Sequence, residues 1–430
     1  MSVTQQLQAR FEAALMGTYG VPPVALVRGE GCRVWDADGN QYTDLIAGIA
    51  VSSLGHAHPA VTGAVTRQVQ AIAHTSNLFL HEGEIALAER LLALLAADGR
   101  VFFTNSGTEA NETALMLATT ARRSNQVLAM RGSYHGRSFG AVAITGNVGW
   151  KGSQLAPFSV QYLHGTDRYL PAFASLSDEK YTEACTADLK HLLTAATARD
   201  VACLIAEPVQ GVGGFTMAPD GLLGAYRNLL AEHGVLFISD EVQTAWGRTG
   251  EHFWGIGAHG VTPDMITFAK GLGNGFAIGG VIARGDLMDS LPGNGISTFG
   301  GNPLSTTAAN AALDYVLDHD LQRNAATLGT MIIDGLREAT APLWTVGEVR
   351  GKGLMFAVDL VDPLTGAPSP ALATRVLEQA RDLGLLIGKG GLQGNALRMA
   401  PPMNITEADA KEGMDLLIDA LRAVDAGAAK

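Results

Sequence analysis

Between residues 100 and 270 the chain alternates short apolar runs with longer amphipathic stretches, and few folds accommodate that order. The runs 101–104, 126–130, 201–206, 235–239 and 265–269 are apolar and bounded by turn-forming residues. Each has the length of a strand buried on both faces. The stretches 108–122 and 221–232 between them carry apolar residues at helical spacing. Strands that alternate with helices build a mostly parallel sheet with helices on both faces, because parallel neighbours need a crossover. The expected fold class is α/β. In such sheets ligands collect beyond the carboxyl ends of the strands. The residues that follow each apolar run are therefore where chemistry is expected.

A chain of 430 residues exceeds what one hydrophobic core usually supports, so two lobes are expected. Near the start, Asp38-Gly39 lies between two strand-like runs, a hairpin signal. Toward the end, helices and short strands mix again. There Glu348-Val349-Arg350-Gly351-Lys352-Gly353 reads as a turn into a strand over 354–358. We place a large domain over 56–320 and a C-terminal small domain over 321–430. An N-terminal segment, 1–55, is expected to join the small domain.

The balance of charge and the cysteines exclude several classes. The formal net charge is −12, and no basic stripe is present, which argues against nucleic-acid binding. Cys32, Cys185 and Cys203 are scattered, with neither disulfide-framework nor zinc spacing, so a reducing cytoplasm is expected and no metal. The N-terminal residues lack the apolar core of a signal peptide. No apolar run approaches the ~18 residues that span a bilayer, so no membrane partner is expected. Gly255-Ile256-Gly257-Ala258-His259-Gly260 matches the dinucleotide pattern, but no clean strand precedes it and Pro263 stands where a helix should begin. His56 and His58, before Pro59, have no companion ligands and read as a turn into a helix.

Three constellations follow predicted strands. In Thr104-Asn105-Ser106-Gly107-Thr108-Glu109-Ala110-Asn111, small and hydroxyl residues leave amides open at a helix N-terminus. Such a terminus binds phosphate; equally, Ser106 or Thr108 is an ordinary helix cap. Asp240, in Ser239-Asp240-Glu241-Val242-Gln243, emerges at the end of a buried strand, where a carboxylate is costly unless it meets a cation or donors. It suits a protonated ring nitrogen, and it also suits a turn cap. Lys270 ends an apolar run and enters the glycine-rich Gly271-Leu272-Gly273-Asn274-Gly275. A desolvated lysine becomes the neutral amine that forms a Schiff base, whereas a lysine that snorkels out of a strand end does nothing of the kind. Together the three supply what pyridoxal 5′-phosphate (PLP) requires: a phosphate cradle, a carboxylate for the ring nitrogen and an amine.

The ordered motifs NSGTEANE, YHGRSFG, AEPVQG, SDEVQTAWGRTG, FAKGLGNG and STFGGNP make the chain similar to the class III (ω-type) PLP-dependent aminotransferases. The resemblance runs from CRVWDADGNQYTDLIAGIAV to NALRMAPPMNITEADA. It implies fold type I: a mostly parallel seven-stranded sheet flanked by helices, plus a smaller α+β domain. It implies that Lys270 carries the cofactor as a Schiff base and shuttles the substrate proton. Asp240 would pair with the ring nitrogen, Gln243 would lie near the ring hydroxyl, and Tyr134 would stack on the ring with His135 beside it. Ser106, Gly107 and Thr108 would hold the phosphate, and Glu207 would join the cofactor set. Thr298 would reach the cofactor of a neighbouring subunit. That implies a homodimer with shared sites, with a dimer of dimers as the alternative.

For substrate, the resemblance implies Arg398 for a carboxylate, a task a guanidinium fork suits. It implies Arg137 for a distal carboxylate, as in 4-aminobutyrate and acetylornithine aminotransferases, and it places Ile49 in the substrate set. One departure concerns the glutamate that, in many relatives, follows the Glu-Pro pair and neutralises the carboxylate-binding arginine. Here Glu207-Pro208-Val209-Gln210-Gly211 is followed by Val212. Together with His252-Phe253-Trp254-Gly255 this resembles the alanine–glyoxylate and β-aminoisobutyrate–pyruvate branch, whereas Arg137 points toward donors with a distal carboxylate. The expected reaction is ping-pong transfer from 4-aminobutyrate, β-alanine, β-aminoisobutyrate or alanine to pyruvate, glyoxylate or 2-oxoglutarate. An acetylornithine-type enzyme, or a racemase or decarboxylase on the same fold, is the alternative.

Overall fold

Burial on both faces demands apolar runs, and such runs build the middle of the central sheet of the computed structural model, which describes residues 1–152, 155–167, 170, 172–197, 199–293 and 295–428. Its strands are β1 (Arg100–Thr104), β2 (Gln126–Met130), β3 (Ser159–Leu163), β4 (Cys203–Ala206), β5 (Leu236–Asp240), β6 (Met265–Phe268) and β7 (Gly279–Ala283). Their order across the sheet is β1-β7-β6-β5-β4-β2-β3. Strands β2 to β6 pair in parallel, and β7 runs antiparallel to both β6 and β1. The fold is α/β, as the alternation implies. Strand β7 escapes a reading by apolar runs because it opens on Gly279-Gly280. Both glycines are required: a Cβ on Gly279 would lie 2.7 Å from the Ser106 carbonyl oxygen, and one on Gly280 would lie 2.5 Å from the Phe268 ring.

Alternate residues of one strand serve opposite faces of the sheet. Leu204, Phe237, Ile266 and Phe268 join a core with Leu222, Tyr226 and Trp246. Cys203, Ile205, Leu236, Ile238 and Met265 join a second core under the helix Gly107–Arg122, through Ala110, Ala114, Leu115 and Ala118. The three cysteines are free and buried.

A third core unites Cys32 and Leu45 with Leu328, Phe356, Leu397 and Leu417. The strand Leu385–Leu386 pairs in parallel with Gln41–Asp44, so the N-terminal segment packs with the C-terminal residues. The Asp38-Gly39 hairpin forms between Arg33–Asp36 and Gln41–Asp44. One expectation is corrected. Residues 348–352 are strand, not turn: Val346–Lys352 pairs antiparallel with Met355–Leu360, and the reversal is confined to Gly353 and Leu354. Arg350 makes this possible, because its buried guanidinium pairs with Glu348 at 2.7 Å and with Asp359 at 2.8 Å. A charged, glycine-containing run is thereby satisfied inside a sheet.

The discounted motifs behave as turns. His58 accepts a hydrogen bond from Ala60 N and caps the helix Pro59–Ala71, and Gly255–His259 is a single 3₁₀ turn. Among the described residues no helix is long and apolar enough to cross a membrane, and no group of three or more potential metal ligands converges.

Candidate active site

The carboxyl ends of β1, β2, β4, β5 and β6 surround one cavity of about 150 Å³. Its lining includes Gly107, Thr108, Asn111, Tyr134, His135, Arg137, Glu207, Asp240, Gln243 and Lys270. Lys270 leaves β6 in a left-handed conformation, φ +45°, which costs a non-glycine residue on the order of 1–2 kcal/mol. Its surroundings enforce it. Lys270 O accepts from Gly273 N at 3.1 Å, and a Cβ on Gly271 would lie 2.5 Å from Ser53 Oγ. Strain of this kind collects where function needs an unusual placement. Among the described residues the Lys270 amine has no hydrogen-bond or ion-pair partner. Desolvation pulls its pKa down to about 8; Asp240 and Glu207 oppose the shift and Arg398 assists it.

Asp240 ends β5 and is buried. Its Oδ2 accepts from Asn111 Nδ2 and pairs with His135 Nδ1, both at 2.8 Å, and its Oδ1 accepts from Val242 N at 3.1 Å. Glu207 is also buried. It accepts from Tyr134 N and Gly211 N, each at 2.9 Å, and so ties the loop after β2 to the loop after β4. Burial pushes its pKa up to about 7; His135 opposes this and Asp240 adds to it.

On the β1 side, Gly107 and Thr108 begin the helix and line the cavity. A Cβ on Gly107 would lie 2.8 Å from Val242 Cγ1, so any larger residue there would have to displace Val242. The Ser106 hydroxyl caps the helix, accepting from Glu109 N at 3.3 Å, and Ser106 is not part of the lining. The Gln243 side chain lines the cavity, and its Oε1 is buried without a partner.

Three other residues singled out from sequence lie outside this cavity. Arg398 is buried, donating from Nη1 to Gly211 O at 2.8 Å and from Nη2 to Lys389 O at 3.1 Å. Its Nε has no partner, and burial lowers its pKa to about 10 while Glu207 opposes. Thr298 lines a separate, largely apolar cavity of about 670 Å³ with Phe102, Met116, Ile296 and Phe299. Ile49 is 43% exposed and sits in a left-handed run from Ala47 to Ala50. Arg137 does line the cavity, and among the described residues it has no ion-pair partner.

Asn111 was not legible from the motifs, although it lies one helical turn beyond Gly107. Trp150 was also missed; its ring stands edge-on to Tyr134, with centroids 5.8 Å apart.

The donor set fits PLP. Asp240 could accept from a ring N–H, the orphaned Gln243 Oε1 could accept from a ring hydroxyl, the Gly107 turn could offer amides to a phosphate, and Lys270 could offer an amine.

The family described as Aminotransferase class-III matches residues 16–421 of the chain. An acetylornithine aminotransferase of Mycolicibacterium smegmatis is 42% identical over 422 residues, covering 97% of this chain and 97% of that protein. Alanine–glyoxylate aminotransferase 2 homolog 2, mitochondrial, of Arabidopsis thaliana is 39% identical over 402 residues, 93% of this chain and 82% of its own length. Among solved structures, an amine transaminase from an uncultivated Pseudomonas species in its PLP-bound form superposes with a TM-score of 0.88 at 30% identity, covering 96% of this chain and 98% of that one.

A depressed lysine pKa has a direct consequence for loading. Capture of PLP by cofactor-free protein should be half-maximal near pH 8, the Lys270 value, and flat above it, because only the neutral amine reacts. Stopped-flow absorbance across pH checks this; a rate that keeps climbing toward ~10.4, the ordinary lysine value, would contradict it.

Proposed function

The chain belongs to the class-III aminotransferases and uses PLP, and from that premise we propose that it moves the amino group of an N-acetylornithine-type donor to a 2-oxo acid. Arg137 carries this reading: a cation lining the Lys270 cavity without an ion-pair partner among the described residues suits a donor whose carboxylate lies far from the reacting amine. The identity to an acetylornithine aminotransferase supports it.

When bound, PLP supplies the electron sink that makes hydrogen on the amine-bearing carbon acidic. The rest falls to this chain. Lys270 Nζ anchors the cofactor and moves that proton. Asp240 holds the proton at the ring nitrogen. Glu207 fixes the Tyr134 backbone so that the phenol ring covers one face, and His135 braces Asp240. Gln243 Oε1 accepts from the ring hydroxyl. Gly107 and Thr108 hold the phosphate at a helix N-terminus, with Ser106 as the cap that keeps the helix start in place. Arg398 takes a carboxylate through its guanidinium, and Ile49 borders the substrate. Thr298 serves the phosphate of a partner subunit, so the working unit is a homodimer, and the scattered free cysteines suit the cytoplasm.

A half-reaction screen tests the proposal. N-acetylornithine, 4-aminobutyrate, β-alanine, β-aminoisobutyrate and alanine are offered to the loaded protein while cofactor absorbance is followed, and 2-oxoglutarate, pyruvate and glyoxylate are then offered in turn. Conversion by N-acetylornithine and recovery with 2-oxoglutarate are expected. Conversion by alanine alone, with recovery by glyoxylate or pyruvate, would replace this reading with the alanine–glyoxylate one, which Val212 favours.

Val212 supports a further prediction. It is buried and directly follows Gly211, whose carbonyl holds Arg398. Val212→Glu places a carboxylate beside that guanidinium. A charge-assisted hydrogen bond is worth about 1.5–3 kcal/mol, so kcat/KM for alanine should fall by roughly tenfold or more. Unchanged alanine kinetics would remove Val212 from the specificity argument.

A further inference from the structure

Asn111 is an anomaly in its own helix. It is 1% exposed, on a helix whose other buried residues, Ala110, Ala114, Leu115, Leu117 and Ala118, are apolar. Asparagine is a poorer helix former than alanine, and a buried amide is costly unless every donor and acceptor is used. Here both N–H donors and the oxygen have partners. Nδ2 donates to His135 O at 2.7 Å and to Asp240 Oδ2 at 2.8 Å, and Oδ1 accepts from Thr267 Oγ1 at 2.6 Å.

The amide has only one workable orientation. Reversed, its oxygen would face the His135 carbonyl and the Asp240 carboxylate, both acceptors. Thr267 fixes the oxygen end; it sits on β6 in register with Asp240, three residues before Lys270. One side chain therefore ties the helix, the loop after β2 and the ends of β5 and β6 together.

The consequence falls on Asp240. A carboxylate oxygen has two lone pairs. Those of Oδ2 are both taken, by Asn111 and His135, whereas among the described residues Oδ1 accepts only from Val242 N. We infer that Asn111 is a positioning residue: with His135 it saturates Asp240 Oδ2, so that Oδ1 alone is left to hold the proton at the ring nitrogen. This rests on the reading that Asp240 partners that nitrogen.

The loaded enzyme is compared with Asn111→Asp, Asn111→Ser and Asp240→Asn. Asn111→Asp keeps the shape and turns two donors into acceptors facing a carboxylate and a carbonyl. Two carboxylates so placed share a proton, which withdraws charge from Asp240. Asn111→Ser removes both donors without adding charge, and serves if Asn111→Asp does not fold. Each protein is read by the pH titration of cofactor absorbance, by kcat and donor KM, and by the affinity of the cofactor-free form for PLP.

In Asn111→Asp the spectral transition should move by about one pH unit or more, in the same direction as in Asp240→Asn. Its kcat should fall on the order of 10–100-fold, the range an orienting partner commands at metal sites, with donor KM within about threefold. PLP affinity should weaken, and Asn111→Ser should follow in the same direction by less. If Asp240→Asn moves the transition and neither Asn111 variant does, Asn111 only packs the core and the inference fails alone. If Asp240→Asn leaves the transition in place, the assignment of Asp240 fails, and the inference with it.

Discussion

Lys270→Ala should abolish turnover of every amino donor while the protein folds as before. Lys270 contributes nothing to the sheet core, which Ile266 and Phe268 of β6 supply. Its left-handed backbone, φ +45°, is as costly for alanine as for lysine, so the substitution changes the strain little. What is lost is the one amine at the carboxyl end of β6. Loss of a residue that is both covalent anchor and proton carrier costs on the order of 10⁴-fold or more in kcat. The melting temperature of the cofactor-free variant should stay within a few degrees of the parent, about the shift that 1 kcal/mol produces in a chain of this size. Lys270→Arg should fail as completely, because a guanidinium keeps the charge yet has no accessible neutral form. A Lys270→Ala protein that turns over at an undiminished rate would end the assignment.

The second large effect is expected at Asp240. Asp240→Ala deletes a buried acceptor and strands donors on Asn111, His135 and Val242. A buried donor left without a partner costs about 1–3 kcal/mol, so this variant should lose both stability and activity. Asp240→Asn separates the two. It keeps the shape and some hydrogen bonding but removes the charge that holds a proton at the ring nitrogen. Loss of one preorganised electrostatic group costs roughly 10²–10³-fold in kcat, and that is the expected loss for Asp240→Asn, with a smaller drop in melting temperature than for the alanine variant. Turnover within tenfold of the parent in Asp240→Asn would mean that the ring nitrogen is served by another group.

These two residues were visible early for a reason. Lys270 and Asp240 each follow an apolar run that could only be a buried strand, so a charged residue there stood out against its local background. The Gly107 turn was visible for the same reason, as a change from strand to helix over a few residues. Arg398 was different. It lies within a strand, Ala396–Met399, and nothing local says that its Nη atoms donate to the carbonyls of Gly211 and Lys389 while Nε has no partner. Local pattern offers Ser106 as a cap without choosing it over Thr108, and it does not show that Thr298 opens onto a separate cavity of its own chain.

The strand at 346–352 teaches the same point from the side of the fold. Its charges and glycines resemble a turn until Arg350 is seen to meet Asp359 across the sheet. Asn111 is the functional counterpart: an unremarkable helical asparagine until β5, β6 and the loop after β2 converge on it.

Residue order alone was enough for the α/β class, the strands that end in the site, and the placement of Lys270 and Asp240 at strand ends. Those features depend on hydrophobic period and on charges placed at strand ends, both of which are properties of neighbouring residues. Which oxygen of Asp240 is free, which donors of Arg398 are spent, and which cavity Thr298 faces all depend on partners far away along the chain. Hydrogen-bond saturation is a property of packed groups, and it exists only once folding has brought them within about 3 Å.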